Sequence, residues 1–243
     1  MNVRVFRSRF EMGHASGEAG AQALAHLIAE HGRTAAVFAS AASQIEFLQS
    51  LAASDLVDWK KVTAFHLDEY IGMPASHPAS FRRFLYDCLW SRVTPAAFYE
   101  LAGDAEDIHG EIQRYSELLD REKPRIGFLG IGENGHLAFN DPPANFEDQQ
   151  TVRAVHLDEV CRMQQVHDGA FAEIKDVPLN ALTMTIPAIH RIPQLIVNVP
   201  GKKKAEAVRR ALRDPISRDC PASILQQHGD TTLFLDTDSA RLL

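Results

Sequence analysis

Four short stretches of the chain gather side chains that can move protons or hold an anion. His66-Leu67-Asp68-Glu69-Tyr70 sets two carboxylates side by side, which suits general acid–base chemistry and equally suits a loop in which a carboxylate caps a neighbouring helix. Gly130-Ile131-Gly132-Glu133-Asn134-Gly135-His136 places glycines around a histidine, with Asp141 shortly after it. Glycines let backbone approach a ligand and offer N–H groups to an anion. A histidine in such a loop with an acid nearby is a candidate for proton transfer. The glycine spacing is not that of the dinucleotide fingerprint. Ser40-Ala41-Ala42-Ser43 brings two hydroxyls to the start of a helix, whose free N–H groups would complete an anion cradle; a serine there can also be a plain cap. Lys202-Lys203-Lys204 opens a later helix against its dipole. A bound anion would relieve that clash, and so would solvation of a basic turn.

Each stretch follows a strand-like run. Thr34 to Ala39 is short and apolar, Val62 to Leu67 is strand-like, and Arg125 to Ile131 is a second apolar run. Gln194 to Val199 precedes the lysines, and Ala181 to Ile186 and Thr231 to Leu235 are further strand candidates. Helical periodicity marks Gly17 to Glu30, Ser43 to Leu51, Ser80 to Trp90, Ile108 to Leu119, Asp158 to Val166 and Lys202 to Leu212. His77-Pro78-Ala79-Ser80 leads into the third of these, with Ser80 as its cap. Val152 to Leu157 alternates. Alternating strands and helices predict an α/β fold: one doubly wound, mostly parallel, modified Rossmann-like sheet with helices on both faces. Buried parallel strands read as continuous apolar runs, and their ligands sit beyond the carboxyl ends of the strands. All four chemical stretches therefore fall on one rim of one sheet. That predicts a phosphorylated small substrate and proton-transfer chemistry.

Composition narrows the class. The 243 residues carry a net charge of -7, with 45% hydrophobic and 23% charged residues. One domain over 1–243 can bury an adequate core without disulfides or a metal. The acidic balance argues against nucleic acid, which needs a broad basic face. Cys88, Cys161 and Cys220 are far apart and odd in number, as expected of free thiols in a reducing compartment. Met1 to Phe10 alternates like a strand and lacks a signal-peptide core, and no apolar run reaches membrane-spanning length. The expectation is a cytoplasmic protein with no membrane partner, a monomer or small homo-oligomer.

Phe65-His66-Leu67-Asp68-Glu69-Tyr70 with His77-Pro78-Ala79-Ser80, and Gly130 to Pro142, resemble glucosamine-6-phosphate deaminases. The related 6-phosphogluconolactonases typically carry Asp-Glu-Arg where this chain has Asp68-Glu69-Tyr70, and Asp-Gly-His-Thr where it has Asn134-Gly135-His136-Leu137. The resemblance implies conversion of glucosamine 6-phosphate and water to fructose 6-phosphate and ammonia, without metal or organic cofactor. It implies that Asp68 moves a proton between C2 and C1, that His136 assists ring opening, and that Asp141 orients the imidazole. It places Ser40, Ala41, Ser43, Gly132 and Lys204 in substrate and phosphate binding. It adds Arg162 as an arginine reaching the phosphate from a lid around 145–176. Lactonase, non-deaminating isomerase and non-catalytic sugar-phosphate sensor are the competing readings. Three departures stand out. Asn134 replaces an Asp and cannot stabilise an imidazolium by charge. Asp141 replaces a Glu, which puts its reach to His136 in question. Ser40-Ala41-Ala42-Ser43-Gln44 replaces a glycine-rich loop ending in Pro. Residues for an allosteric amino-sugar site are not evident, so none is expected.

Overall fold

A computed structural model describes residues 1–167 and 169–243. In chain order the main elements are β1 (Asn2–Phe6), α1 (Arg9–His31), β2 (Thr34–Phe38), α2 (Ile45–Ala52), β3 (Val62–His66) and β4 (Asp68–Tyr70). Then come α3 (Phe81–Leu85), β5 (Ala97–Tyr99), α4 (Ile108–Glu122), β6 (Ile126–Leu129), β7 (Val152–His156) and α5 (Glu159–His167). The chain ends with β8 (Asn180–Met184), α6 (Ile186–His190), β9 (Gln194–Val199), α7 (Ala205–Arg213) and β10 (Thr231–Asp236). Seven strands form a parallel sheet in the order β1-β10-β9-β6-β2-β3-β5. The order reverses between β2 and β6, the switch point where open α/β sheets leave a crevice.

Period-two alternation sends successive side chains of each strand into different cores. Ala35 and Val37 of β2 pack with Tyr115 and Leu119 of α4 and Val208 of α7. Ala36 and Phe38 pack with Leu24 of α1 and Phe47 and Leu51 of α2. Helices thus cover both faces, as the sequence predicts. No helix among the described residues is long and apolar enough to cross a membrane.

The first helix starts at Arg9 rather than Gly17, with Ser8 as its cap, 3.1 Å from the Glu11 N–H. Gly13 and Gly17 weaken the helical pattern but serve packing. A Cβ on Gly13 would lie 2.3 Å from Glu46 Cβ, and one on Gly17 2.5 Å from Ser50 Cβ. The glycines let α1 lie directly against α2. The helix read over Ser80 to Trp90 becomes α3 followed by a wider π-type turn over Tyr86–Trp90. Ala181 to Ile186 forms β8 but does not join the main sheet. It is the middle of a three-stranded antiparallel sheet, β4-β8-β7. Of the 145–176 span, β7, α5 and a short 3-10 turn at Ile174–Asp176 are seen, and residue 168 lies outside the described residues.

Glu69 fixes how β4 leaves the main sheet. Its carboxylate is fully buried and accepts five hydrogen bonds, from the N–H groups of Tyr70, Phe81 and Arg82, the Ser80 hydroxyl and Arg82 Nε. Arg82 in turn reaches Asp104 at 2.9 Å and the Met73 carbonyl at 2.7 Å. Ser80 caps α3 as expected, with Glu69 beneath it. Removing one partner from a buried ion pair strands the other charge. Arg82→Ala should therefore lower unfolding free energy by about 3–5 kcal/mol, measured by urea denaturation.

Candidate active site

The carboxyl ends of β2, β3 and β6, with the start of α7, surround one cavity of about 340 Å³. Of the residues singled out in the sequence, Ser40, Ala41, Ser43, Asp68, Gly132, His136 and Lys204 line it. Asn134 and Asp141 do not; they stand behind His136.

Strand alternation separates the two adjacent carboxylates. Asp68 faces the cavity and Glu69 turns away into the α3 anchor. Glu69 thus takes the capping place at α3, and Asp68 is left facing the cavity. Asp68 is only 7% exposed, and no described residue donates a hydrogen bond to its carboxylate. Burial, with a further push from the charge of Glu69, holds its pKa well above the usual Asp range. His66 is a framework residue. Its Nε2 accepts from the Leu101 N–H at 2.8 Å, so its Nδ1 carries the proton and donates to the Asp68 carbonyl at 2.9 Å. Burial depresses its pKa to about 3, which keeps it neutral.

His136 Nδ1 lies 3.2 Å from Asp141 Oδ1, off the line of a straight hydrogen bond. The shorter Asp side chain therefore does reach the imidazole. Asn134 ties the two together: its Oδ1 accepts from the His136 N–H at 3.0 Å, and its Nδ2 donates to Asp141 Oδ1 at 3.2 Å. An aspartate at 134 could make only the first of these bonds. Burial alone would raise the Asp141 pKa, but the adjacent His136, the Asn134 amide and the nearby Cys161 thiol bring it below the usual value. Ligand atoms of His136, Asp141 and Cys161 all lie within 4.8 Å of one another, a spacing that could hold a metal ion. The Cys161 thiol, however, is held protonated by burial and by the neighbouring Asp141, and a thiol that keeps its proton is a poor metal ligand.

Gly132 has a more specific reason than backbone approach to a ligand. A Cβ there would sit 2.3 Å from His136 Cε1 and 2.4 Å from both ring nitrogens. The imidazole rests on the bare glycine.

At the Ser40–Ser43 loop, the first turn is 3-10 over Ala42–Gln44 and neither serine caps it. The Ser40 hydroxyl is buried and bonds no described residue, so it is not a cap. Gln44 stitches the loop to the sheet. Its Nε2 donates to Ser43 Oγ at 3.0 Å and to the carbonyls of Leu129 and Asn198 at 3.3 and 3.4 Å, and its Oε1 accepts from Asn198 Nδ2 at 3.0 Å. Lys204 is 9% exposed and lines the cavity, while Lys202 and Lys203 are exposed to solvent. The basic turn therefore divides into one site lysine and two solvated ones.

Arg162 lies apart from these residues. Its Nη2 donates to the carbonyls of Ile174 and Val177 at 2.6 and 3.0 Å, which braces its own segment, and it is not among the residues that line the cavity. A guanidinium that the sequence reading missed, Arg9, is there instead. It bonds Glu46 Oε1 at 2.7 Å and the Ala42 carbonyl, beside the serine loop. Its position within an alternating stretch gave no signal. Gln164 and Gln165 on α5 also line the cavity, bonded to the Glu133 N–H and the Tyr70 hydroxyl at 2.9 Å each.

The profile of a family described as glucosamine-6-phosphate isomerases/6-phosphogluconolactonase matches residues 7–234. A glucosamine-6-phosphate deaminase of Listeria monocytogenes is 37% identical over 187 residues, covering 77% of this chain and 78% of that protein. One from Oenococcus oeni is 31% identical over 243 residues, 100% of this chain and 99% of the other. A solved structure described as a monomeric glucosamine-6-phosphate deaminase superposes with a TM-score of 0.92 at 30% identity, covering 100% of both chains.

Two substitutions test the geometry. Gly132→Ala should push the His136 ring off its present position and cost roughly 1–3 kcal/mol by overpacking; a crystal structure and a thermal melt of the variant check both. Asp68→Asn should raise Tm at neutral pH. A raised folded-state pKa means the folded protein binds that proton more tightly than the unfolded chain. Stability is then lost as pH rises from the ordinary Asp pKa through the raised one, and the neutral amide avoids that loss. Each kcal/mol recovered should appear as roughly 2–4 °C.

Proposed function

The chain belongs to the glucosamine-6-phosphate isomerase/6-phosphogluconolactonase family, and we propose that it is an aldose–ketose isomerase and deaminase converting glucosamine 6-phosphate and water to fructose 6-phosphate and ammonia. The observation that carries this reading is the shared cavity. A buried carboxylate of raised pKa and an imidazole backed by a second carboxylate face the same space as two serines, a lysine and an arginine.

In this proposal Ser40, Ser43 and Lys204, with the Ala41 and Gly132 backbone beside them, hold the phosphate end of the sugar. Arg9 adds positive charge at the same loop. His136 moves a proton between the anomeric hydroxyl and the ring oxygen, which opens the ring. Asp141 and Asn134 position His136 and do not touch substrate. Asp68, once ionised, takes the proton from C2 of the open-chain sugar while the aldehyde oxygen gains one from solvent, which gives the enolamine. Return of the Asp68 proton to C1 converts the enolamine to a C2 iminium. Water adds to that carbon and ammonia leaves, giving the ketose. A base works best when its pKa lies near the working pH, and burial moves Asp68 in that direction. The segment 145–176, whose Gln164 and Gln165 reach the cavity, serves as a lid over the substrate. The cysteines are free, consistent with a cytoplasmic enzyme. A monomeric relative supports a monomer or small homo-oligomer.

Ammonia release from glucosamine 6-phosphate, beside its galactosamine epimer, tests the proposal. Turnover is expected, with Asp68→Asn slower by about 10²–10⁴-fold. Hydrolysis of 6-phosphogluconolactone with no ammonia from either amino sugar would assign the site to the lactonase branch instead. The acid limb of the kcat profile should fall above the ordinary Asp pKa of about 3.9, because Asp68 must be ionised to act and burial holds its proton on to higher pH.

A further inference from the structure

Gln44 and Asn198 are side-chain amides fully closed to solvent, and neither lines the cavity. The backbone fixes which way each one points. One end of the Gln44 amide faces two carbonyl oxygens, those of Leu129 at 3.3 Å and Asn198 at 3.4 Å. A carbonyl only accepts, so that end is Nε2. The other end is Oε1, which needs a donor, and Asn198 Nδ2 supplies it at 3.0 Å. Turning the Asn198 amide over would set two acceptor oxygens against each other. The present setting leaves Asn198 Oδ1 buried and bonded to no described residue, a state that buried polar atoms normally avoid.

The same Gln44 Nε2 also donates to Ser43 Oγ at 3.0 Å, and Ser43 lines the cavity. Gly130 packs close behind the pair: a Cβ there would stand 3.2 Å from both Ser43 Oγ and Gln44 Nε2. A hydroxyl has one proton to give and two lone pairs to receive. Ser43 receives the Gln44 N–H, and no described residue accepts its proton. The hydroxyl is thus left with a donor to offer, at the loop where Ser40 and Lys204 also line the cavity.

We propose that Asn198 and Gln44 are positioning residues for phosphate binding: they form a one-way chain of hydrogen bonds, Asn198 to Gln44 to Ser43, that holds the Ser43 hydroxyl as a donor to the phosphate of the substrate. The chain rests on the phosphate placement at Ser43 proposed above. Each link polarises the next, and a rotor already set loses less freedom when the ligand arrives. A fully ionised phosphate offers only acceptors, which a fixed donor suits. Neither amide touches the substrate. Asn198, on β9, acts on the loop after β2 only through Gln44.

Glucitol 6-phosphate, an open-chain sugar phosphate with no carbonyl to react, is the probe, with binding followed by isothermal titration calorimetry. Gln44→Met combined with Asn198→Leu replaces both amides by apolar side chains of similar size, so neither is left stranded. The pair should weaken binding by about three- to tenfold. Gln44→Met alone should act in the same direction, and it keeps the test open if the double variant does not fold. In a Ser43→Ala background the pair should change Kd by less than about twofold, because the chain then has no end to act on. A native Kd in the double variant would overturn the proposal and leave Ser43 as a phosphate ligand. So would a full further loss on top of Ser43→Ala, since the amides would then serve the loop as a whole. A native Kd in Ser43→Ala itself would move the phosphate away from this loop, and the chain would fall with that placement.

Discussion

Glu69 is an ion held out of water, and the active end of the molecule is arranged around satisfying it. Five donors converge on one carboxylate, two of them N–H groups from the first turn of α3. An unpaired charge at that depth would cost more than a small domain can spare. The chain after β3 must therefore turn to bring Ser80, Phe81 and Arg82 to it. That turn peels β4 off the main sheet and pairs it with β8. Once β4 is a strand, alternation leaves its neighbour Asp68 facing the opposite way, into the cavity. One carboxylate is stabilised as an anion while the next accepts no hydrogen bond from any described residue and is protonated more readily than usual.

The second carboxylate at the site is built on a different balance. Asp68 has its pKa raised by isolation, whereas Asp141 has its own lowered by company, from an imidazole, an amide and a thiol. The one carboxylate lines the cavity and the other stands behind the imidazole, so the two environments push their pKa values in opposite directions. Asn134 adapts this side of the site to the shorter Asp141. Its amide offers an acceptor to the His136 backbone and a donor to the carboxylate, a combination available to Asn and not to Asp.

Much of this was legible in the sequence because parallel sheets put their chemistry at one end. Apolar runs at Thr34, Arg125 and Gln194 marked strands, and the polar residues directly after them do meet at one rim. What failed to read had physical reasons. The strand Asp68–Tyr70 carries two charges in three residues, so its strand character comes from pairing with a segment more than a hundred positions later. α1 looked short because Gly13 and Gly17 answer to α2 and not to helix propensity. Arg162 has a long side chain whose direction is decided by two backbone carbonyls, which no local pattern announces. Arg9 sits in a stretch that alternates like a strand, and only the fold carries it next to Ala42.

The reciprocal amide pair of Gln44 and Asn198 bears on how such a loop can evolve. The two residues are 154 positions apart, yet the donor of each is used by the other or by its backbone. Asn198 Oδ1 already lacks a partner, so losing Gln44 would leave the whole amide buried and unbonded. A proline at 44, as in the glycine-rich form of the loop, would therefore leave that amide unsatisfied at about 1–3 kcal/mol unless residue 198 changes with it. Loop and strand are coupled through this pair, so a loop exchanged on its own would carry that cost.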